Sequence, residues 1–256
     1  MSRYQPRSRE RGKNTGTTAG DIAPIAVQVS SNETTTALAY PAAPARHAAA
    51  TFVLAHGAGA GQQSAFITGF ARGLSDRGVD VLTFNFLYTE QRRRAPDRTE
   101  KLEACYRAAI AAARRHFGRP GAFIGGKSMG GRIATHLAAD DGADEVGIRG
   151  VVALGYPLHP PGKPEQLRAA HLSHIRVPML IVQGERDPFG TPAELRPVLA
   201  NVPANVTLHV IENGDHSLSP SRQKDRVESG YVAVQDVIAK WIRKHSQTTE
   251  ARSTRR

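Results

Sequence analysis

The sequence predicts an α/β protein built on a mostly parallel, doubly wound sheet of about seven to eight strands. Short apolar runs rich in β-branched residues recur along the 256-residue chain, as expected for strands buried on both faces of a parallel sheet. Amphipathic helical stripes separate these runs, which is the alternation that βαβ units produce. The hydrophobic content of 40% and the charged content of 22% are those of an ordinary globular domain.

The predicted strands form two groups. Residues 24–40 carry Ile25, Val27 and Val29 at alternating positions, which predicts one or two antiparallel edge strands. Six nearly all-apolar runs predict the parallel strands, at residues 51–55, 81–86, 122–124, 151–154, 179–182 and 206–211. Ligands bind beyond the carboxyl ends of the strands in such sheets, so a site is expected in the loops after these runs.

Helices are predicted between the strands, where apolar residues recur three and four positions apart. Such stripes cover residues 66–74, 102–113 and 231–242. Gly78 is placed to end the first helix. Thr191 followed by Pro192 and Glu194 predicts another helix, with a capping box at its start and proline at its first position.

Composition predicts one folded domain, residues 21–245, between two basic tails. Residues 1–20 and 246–256 are polar and lack an apolar period, which predicts disorder. The net charge is +11, and residues 1–20 and 243–256 each carry +4. Because most of the excess charge lies at the ends and no nucleic-acid-binding motif is found, no specific nucleic-acid partner is predicted.

The cysteine count and the hydropathy pattern exclude several further classes of protein. A single cysteine, Cys105, excludes an intrachain disulfide and a thiolate zinc site, and its place on a helical stripe predicts a core position. No run approaches the 18 or more apolar residues of a membrane span, and residues 1–20 lack the apolar segment of a secretory signal. We therefore expect a cytoplasmic protein that needs no metal or cofactor.

A serine nucleophile is predicted at Ser128. Gly126, Ser128 and Gly130 form a G-x-S-x-G pentapeptide between a predicted strand and a helical stretch. A turn that lifts a serine Oγ above the sheet needs glycine two positions before and two positions after the serine, because side chains there would collide. A glycine-rich turn whose serine caps the next helix is the plainer alternative.

The base and the orienting acid that a serine nucleophile needs are present in later loops. Asp187 and His216 each follow one of the last two predicted strands, and the chain order serine, aspartate, histidine is that of α/β-hydrolases. A simple turn role is the alternative for Asp187, and an ordinary loop position is the alternative for His216. Glu185 is a rival for the acid, whereas Asp215 is a weak candidate because it adjoins the histidine.

Two backbone N–H groups are predicted to bind the developing oxyanion. Met129 follows the nucleophile at the start of a helix whose dipole favours negative charge. The second donor is placed on Ala58, in the glycine-rich loop at residues 56–61. That loop lacks the Gly-Lys-Ser/Thr ending of a P-loop and the spacing of a dinucleotide fingerprint, which disfavours a phosphate-binding role for it.

These motifs carry a family resemblance. Residues 125–132 (GGKSMGGR), 56–61 (HGAGAG) and 154–164 (LGYPLHPPGKP) resemble a group of α/β-hydrolases related to dienelactone hydrolases. The group includes small bacterial proteins, testis-expressed protein 30 and a subunit of the nonspecific-lethal histone-acetyltransferase complex. The resemblance covers about residues 25–245 and implies an α/β-hydrolase fold with hydrolase activity. Dienelactone hydrolases carry cysteine where this chain has Ser128, so their substrate is not implied.

The site is expected to be open. Residues 155–178 are too few and too rich in proline for a cap domain inserted after the sixth strand, which favours small or extended acyl esters and thioesters. Substrate-binding residues expected around the site are Gly57, Lys127, Arg93 and His159. The arginine run at residues 92–94, with Arg98, would suit an anionic substrate, and a solvated loop is the plainer alternative.

The sequence therefore predicts a metal-independent serine hydrolase acting on an ester or thioester of a small acyl substrate. Ser128 would attack the carbonyl carbon, His216 would take and return the proton, and Asp187 would hold the imidazole. Two alternatives stay open. The chromatin-complex relative and the basic tails suggest an interaction module that resembles a hydrolase, and the same triad would also support a peptidase for small peptides.

Overall fold

Strands and helices alternate through the part of the chain that the structure describes. The computed structural model covers residues 22–43, 47–220 and 223–253, so the predicted tail at residues 1–20 lies outside the described residues. The strands are β1 (Ala23–Ser30), β2 (Glu33–Tyr40), β3 (Ala50–Ala55), β4 (Val79–Phe84), β5 (Ala122–Lys127), β6 (Ile148–Leu154), β7 (Met179–Gly184) and β8 (Val206–Ile211). The helices are α1 (Ala65–Asp76), α2 (Leu87–Glu90), α3 (Thr99–Phe117), α4 (Met129–Ala139), α5 (Ala143–Val146), α6 (Pro192–Leu199) and α7 (Lys224–Ser253).

The strands form a single eight-stranded sheet in the order β1-β2-β4-β3-β5-β6-β7-β8. β1 pairs antiparallel with β2, β2 pairs antiparallel with β4, and the remaining neighbours are parallel. The prediction of a mostly parallel sheet with antiparallel edge strands is confirmed. Because β3, β5, β6, β7 and β8 all run the same way, the loops at their carboxyl ends meet along one edge of the sheet.

Helices bury both faces of the sheet. On one face, α1 and α7 pack through side chains such as Phe70, Leu74 and Ile238. On the other face, α3, α4 and α6 pack through side chains such as Ile110, Ile133 and Leu195. The doubly wound arrangement is confirmed, and Cys105 lies in the core of the second face as predicted.

The β4 strand begins and ends two residues earlier than its apolar run predicted. Asp80 lies inside the strand and is 4% exposed. Its carboxylate accepts a hydrogen bond from the Ala42 N–H at 2.9 Å and lies 3.0 Å from His47 Nε2. A buried carboxylate with such partners is compatible with a strand, but the partners are distant in sequence, so the pattern alone placed Asp80 outside the strand.

The last helix is longer than its apolar stripe predicted. The predicted disordered tail begins at residue 246, whereas α7 is helical to Ser253, so that prediction is corrected for residues 246–253. The Trp241 and His245 rings are 4.6 Å apart, and Ser246 Oγ donates to the Ile242 carbonyl oxygen at 2.8 Å. The helix therefore continues past Ile242, the last apolar residue of the stripe.

Below the site, Tyr106 ties the central strands together. Its buried hydroxyl accepts a hydrogen bond from the Gly125 N–H at 2.8 Å and has two carbonyl acceptors, Gly125 at 2.5 Å and Val53 at 2.9 Å. A side chain at position 125 would overlap with the Val152 carbonyl oxygen, which explains the glycine. Tyr106 therefore fixes the end of β5 from which the site is built.

The segment between β6 and β7, which the structure describes in full, contains no inserted cap domain. Residues 155–178, between β6 and β7, form loops and one short 3-10 helix at Ala170–His174. The predicted absence of an inserted cap domain is confirmed for this segment. Among the helices that the structure describes, none is both long enough and apolar enough to cross a membrane.

Candidate active site

Ser128 lies on the sharp turn between β5 and α4. Its backbone has φ 51° and ψ −116°, a conformation that is uncommon outside glycine and is typical of strained functional turns. A Cβ on Gly130 would lie 2.6 Å from the His56 carbonyl oxygen, and a Cβ on Gly126 would overlap with the Ala55 carbonyl oxygen. The two glycines thus allow the turn to pack directly against the end of β3.

The structure brings the three predicted side chains together. His216 Nε2 lies 2.9 Å from Ser128 Oγ, and His216 Nδ1 lies 2.8 Å and 3.0 Å from the two carboxylate oxygens of Asp187. The arrangement places the ring proton on Nδ1, where it is donated to Asp187, and leaves Nε2 free to accept the serine hydroxyl proton. These are the contacts that the nucleophile, base and acid of a serine hydrolase require.

Asp187 is buried at 1% exposure and is held by two further donors. Gln183 Nε2 donates to Asp187 Oδ2 at 2.9 Å, and the Phe189 N–H donates to Oδ1 at 2.9 Å. Gln183 is itself fixed, because its Oε1 accepts the Tyr156 N–H at 2.8 Å. A buried carboxylate is stable only with such partners, so Gln183 is a positioning residue that the sequence reasoning missed.

Both rival acids stabilise loops instead. Glu185 accepts the Asn213 N–H at 2.8 Å. Asp215 Oδ1 accepts the N–H groups of Ser217 at 2.8 Å and Ser219 at 3.2 Å. These contacts order the turn that carries His216 without involving its ring.

The predicted oxyanion donors lie beside the nucleophile. A Cβ on Gly57 would be 3.5 Å from the Ser128 Cβ, so the loop after β3 passes close to the serine. Within the described part of the chain, neither the Ala58 N–H nor the Met129 N–H donates a hydrogen bond to the protein. Both donors are therefore available to a ligand.

His56 orients that loop. Its buried Nε2 accepts the Phe86 N–H at 3.1 Å, and its Nδ1 donates to the Gly57 carbonyl oxygen at 2.8 Å. Burial lowers the pKa of His56, which favours the neutral ring that these two bonds need. In a trans peptide the Ala58 N–H is directed opposite to the Gly57 carbonyl, so His56 fixes the direction of the Ala58 donor.

A cavity of about 630 Å³ opens in front of Ser128 and His216. Of the four residues predicted to bind substrate, two, Gly57 and Lys127, line this cavity. The remaining residues that line this catalytic cavity are Ala58, Ala60, Ser64, Phe66, Ile67, Met129, Arg132, Pro157, Arg168, Phe189, Ser217 and Tyr231. A volume of this size suits a small organic substrate.

Several lining residues were missed from the sequence. Arg132 lies one turn into α4, where its N–H donates to the Ser128 carbonyl oxygen at 3.0 Å, and the GGR end of the elbow motif could have indicated it. The Phe189 ring packs on the His216 ring with centroids 4.2 Å apart. The position of Arg168 is set by hydrogen bonds of its backbone to the Tyr156 hydroxyl and the Leu158 carbonyl oxygen. Because these partners lie about ten residues earlier, no local sequence pattern predicts that position.

Two of the predicted substrate-binding residues lie elsewhere. His159 is 5% exposed, donates from Nδ1 to the Pro160 carbonyl oxygen at 2.9 Å and is not among the residues that line the catalytic cavity. His159 is therefore not placed at the cavity surface as expected, and its ring instead lies beside the Glu194 carboxylate, with Nε2 3.4 Å from Oε1. Arg93 also lies outside this cavity and pairs with Asp97 at 2.5 Å.

Lys127 combines a buried ammonium group with an absence of hydrogen bonds. In the described part of the chain, its Nζ is inaccessible to solvent and has no hydrogen-bond partner. Burial lowers the pKa of Lys127 to about 8, against the attraction of Asp187 and Asp215. The nearby carboxylates therefore only partly offset the cost of removing the charge from water.

Lys127→Met should raise the melting temperature at pH 7 by roughly 2–6 °C, because an apolar side chain of similar length removes that cost. Below pH 8, Lys127 is charged in both the folded and the unfolded protein. Between about pH 8 and its ordinary pKa of 10.5, the lysine keeps its proton in the unfolded chain but loses it in the folded protein. The wild-type protein therefore gains stability over that window. Thermal melts should show the advantage of the variant shrinking from pH 8 to pH 10.

The exposed Lys240 provides the matched control for this measurement. Lys240→Met should show no comparable change between pH 7 and pH 10, because its ammonium group remains in water. A stability difference for Lys127→Met that is constant with pH would contradict the buried, uncompensated charge.

The fold and site together define a structural class, the α/β-hydrolase fold. A serine on a strand-to-helix turn faces an aspartate and a histidine from later loops of a mostly parallel sheet. Residues 47–243 match the family model described as the alpha/beta hydrolase domain. The chain belongs to that family.

Solved structures share the fold at low sequence identity. A dienelactone hydrolase from Anabaena variabilis matches with a TM-score of 0.66 at 19% identity, covering 86% of this chain and 96% of its own. A serine hydrolase without a lid from Xanthomonas campestris matches with a TM-score of 0.67 at 15% identity, covering 90% and 97%. Est1E from Butyrivibrio proteoclasticus matches with a TM-score of 0.67 at 13% identity, covering 88% and 99%.

Proposed function

We propose that the protein is a serine hydrolase that cleaves a carboxylic ester or thioester of a small substrate. The observation that carries the proposal is the hydrogen-bonded series from Ser128 through His216 to Asp187, at 2.9 Å and 2.8 Å, beside an open cavity. A serine hydroxyl is a weak nucleophile without a base, and a base works best with its ring held by an acid. Both requirements are met here.

In the first half of the reaction, Ser128 Oγ bonds to the carbonyl carbon of the substrate while its proton passes to His216 Nε2. The carbonyl oxygen becomes an oxyanion, which the Met129 and Ala58 N–H groups stabilise. Asp187 stabilises the imidazolium through Nδ1. The tetrahedral intermediate then releases the alcohol or thiol, which receives the proton from Nε2, and an acyl-enzyme remains.

In the second half, water takes the place of the leaving group. His216 Nε2 accepts a proton from the water as its oxygen bonds to the acyl carbon, and the same two N–H groups bind the second oxyanion. Collapse of this intermediate breaks the bond to Ser128 Oγ, which regains the proton from His216. The products are a carboxylic acid and the restored enzyme.

The open site supports small or extended acyl substrates. No cap covers the cavity from residues 155–178, and structural neighbours include proteins described as a serine hydrolase without a lid and as an esterase domain. The elbow and loop motifs support membership of the group related to dienelactone hydrolases. Because the elbow carries Ser128 in place of their cysteine, we do not propose a dienelactone substrate.

A substrate panel tests this proposal. The wild-type protein should hydrolyse 4-nitrophenyl acetate and phenyl thioacetate, with an initial burst of product equal to the enzyme concentration if deacylation is slower. The matched anilide, 4-nitroacetanilide, should react at least about 100-fold more slowly, because its amide is intrinsically less reactive toward acyl transfer. Cleavage of the anilide faster than the ester would favour a peptidase. No turnover of any substrate in the panel would contradict the proposal.

A further inference from the structure

A second cavity adjoins the catalytic cavity and continues its surface. It has a volume of about 770 Å³ and shares Ala60 and Ser64 with the catalytic cavity. We call it the arginine cavity, because its lining includes Arg92, Arg93 and Arg94. The other residues that line it are Gly59, Gly61, Gln63, Asn85, Tyr88 and Thr89. A single substrate that reaches Ser128 can therefore extend into it past the oxyanion loop.

Three hydroxyl groups line the arginine cavity without hydrogen bonds of normal geometry in the described part of the chain. They belong to Ser64, Tyr88 and Thr89, and all three oxygens are inaccessible to solvent. Tyr88 is 1% exposed, and its hydroxyl lies near the Thr89 side chain and the Gly59 backbone. Buried polar atoms normally have partners, so three hydroxyls without a partner make the wall of this cavity unusually polar.

Ser64 adds a second feature of the same kind. It is the N-cap residue of α1, yet its side chain makes no capping hydrogen bond. A serine at this position usually accepts a hydrogen bond from the first turn of the helix. Ser64 lines both cavities, so the N-terminus of α1 lies at their junction, where the helix dipole favours negative charge.

The charged residues that line the arginine cavity are all arginines, and two carboxylates lie just behind its lining. Asp97 is paired with Arg93 at 2.5 Å and accepts the Tyr88 N–H at 3.0 Å. Glu90 accepts from Asn85 and Thr36, each at 2.9 Å. Both carboxylates therefore already have partners within the protein.

Arg92 and Arg94 are exposed, and in the described residues no carboxylate lies within ion-pair distance of either. Two guanidinium groups thus remain available beside the three unpaired hydroxyls. This combination matches the acceptor oxygens and the negative charge of a phosphate or a carboxylate.

We propose that the arginine cavity binds an anionic group of the substrate, a phosphate or a carboxylate, while the scissile carbonyl lies at Ser128. This inference rests on the proposed hydrolase function and narrows its substrate class. Arg92 and Arg94, which are exposed and line the cavity, supply the charge that binds this group. On the catalytic side, Arg132 and Arg168 add positive charge to the shared surface.

Two matched substrate pairs test the subsite. Acetyl-coenzyme A and S-acetyl-N-acetylcysteamine share a thioester, but only the first carries phosphates. Mono-4-nitrophenyl glutarate and 4-nitrophenyl valerate have acyl chains of the same length, but only the first carries a carboxylate. The anionic member of one pair should have a kcat/KM at least about tenfold above its neutral partner. The pair that shows the preference identifies the anion.

Variants of the arginine loop provide the control. In the Arg92→Gln/Arg94→Gln double variant, the anionic-to-neutral ratio should fall to about one. Arg98→Gln removes the same charge from a residue of this loop that does not line the cavity, so it should keep the wild-type ratio. A ratio near one in both pairs for the wild-type protein, or a preference that survives in the double variant, would overturn the proposal.

A binding measurement separates this inference from the hydrolase function. Coenzyme A and glutarate are titrated by calorimetry into the Ser128→Ala protein, which keeps both cavities. One of them should bind, with an affinity at least about tenfold weaker when Arg92→Gln and Arg94→Gln are added. Arginine-dependent binding to Ser128→Ala, with no hydrolysis of any ester or thioester by the wild-type protein, would contradict the proposed function alone. Hydrolysis of neutral esters with no arginine-dependent binding would contradict the anionic subsite alone.

Discussion

Ser128→Ala is expected to lower kcat by about 10⁵–10⁶, by analogy with other serine enzymes in which the nucleophile has been removed. Alanine keeps the Cβ and the backbone of the turn between β5 and α4, so the elbow should fold unchanged. What is lost is the oxygen that lies 2.9 Å from His216 Nε2 and forms the acyl-enzyme. Residual hydrolysis would come from the oxyanion donors acting on bound substrate and water.

The measurement is steady-state hydrolysis of 4-nitrophenyl acetate with a thermal melt on the same samples. Ser173→Ala is the matched control, since Ser173 is an exposed serine on the 3-10 helix outside the catalytic cavity. It should retain near wild-type turnover. A Ser128→Ala protein that is folded and still turns over within tenfold of the wild type would exclude Ser128 as the nucleophile.

His216→Ala is expected to cause a loss of similar size, about 10⁵–10⁶ in kcat. Without the imidazole, the serine proton has no acceptor and the leaving group has no donor. The loss should not add to that of Ser128→Ala, because residues that act in one proton-transfer unit are strongly non-additive. The double variant should therefore be about as active as either single variant.

His116→Ala controls for the loss of a histidine, because His116 is exposed on α3 and lies outside the site. Kinetics of the four variants on one ester would measure the coupling directly. Independent, multiplicative losses for Ser128 and His216 would contradict a shared proton transfer, and a small loss for His216→Ala would indicate a different base.

Much of the site could be predicted because topology brings its loops together. Parallel strands place their carboxyl ends on one edge, so a serine after β5, an aspartate after β7 and a histidine after β8 are expected to approach one another. The extent of β5 was harder to predict. Its apolar run ends at Ile124, yet the strand continues through two glycines to Lys127 because β6 pairs with them. Sheet pairing with a distant strand decided that boundary.

Side-chain positions set by packing could not be predicted in the same way. His159 was expected at the rim of the site but is buried. Its backbone N–H donates to the Phe189 carbonyl oxygen, and its ring lies beside Glu194 of α6, so these contacts hold its loop against that helix. Gln183 lies in an apolar strand, where a lone polar residue indicates a buried hydrogen-bond network but not its partner. Arg168 reaches the catalytic cavity through backbone contacts with residues about ten positions earlier, which no local pattern records.

Active-site labelling with a fluorophosphonate tests the central claim most directly. The reagent forms a covalent bond to an activated serine oxygen with loss of fluoride. Digestion and mass spectrometry should find one adduct per wild-type molecule, on the peptide that contains Ser128. Ser128→Ala should be unlabelled and His216→Ala labelled at most very slowly. A folded wild-type protein that takes no label, or an adduct that persists in Ser128→Ala, would contradict an assembled serine nucleophile.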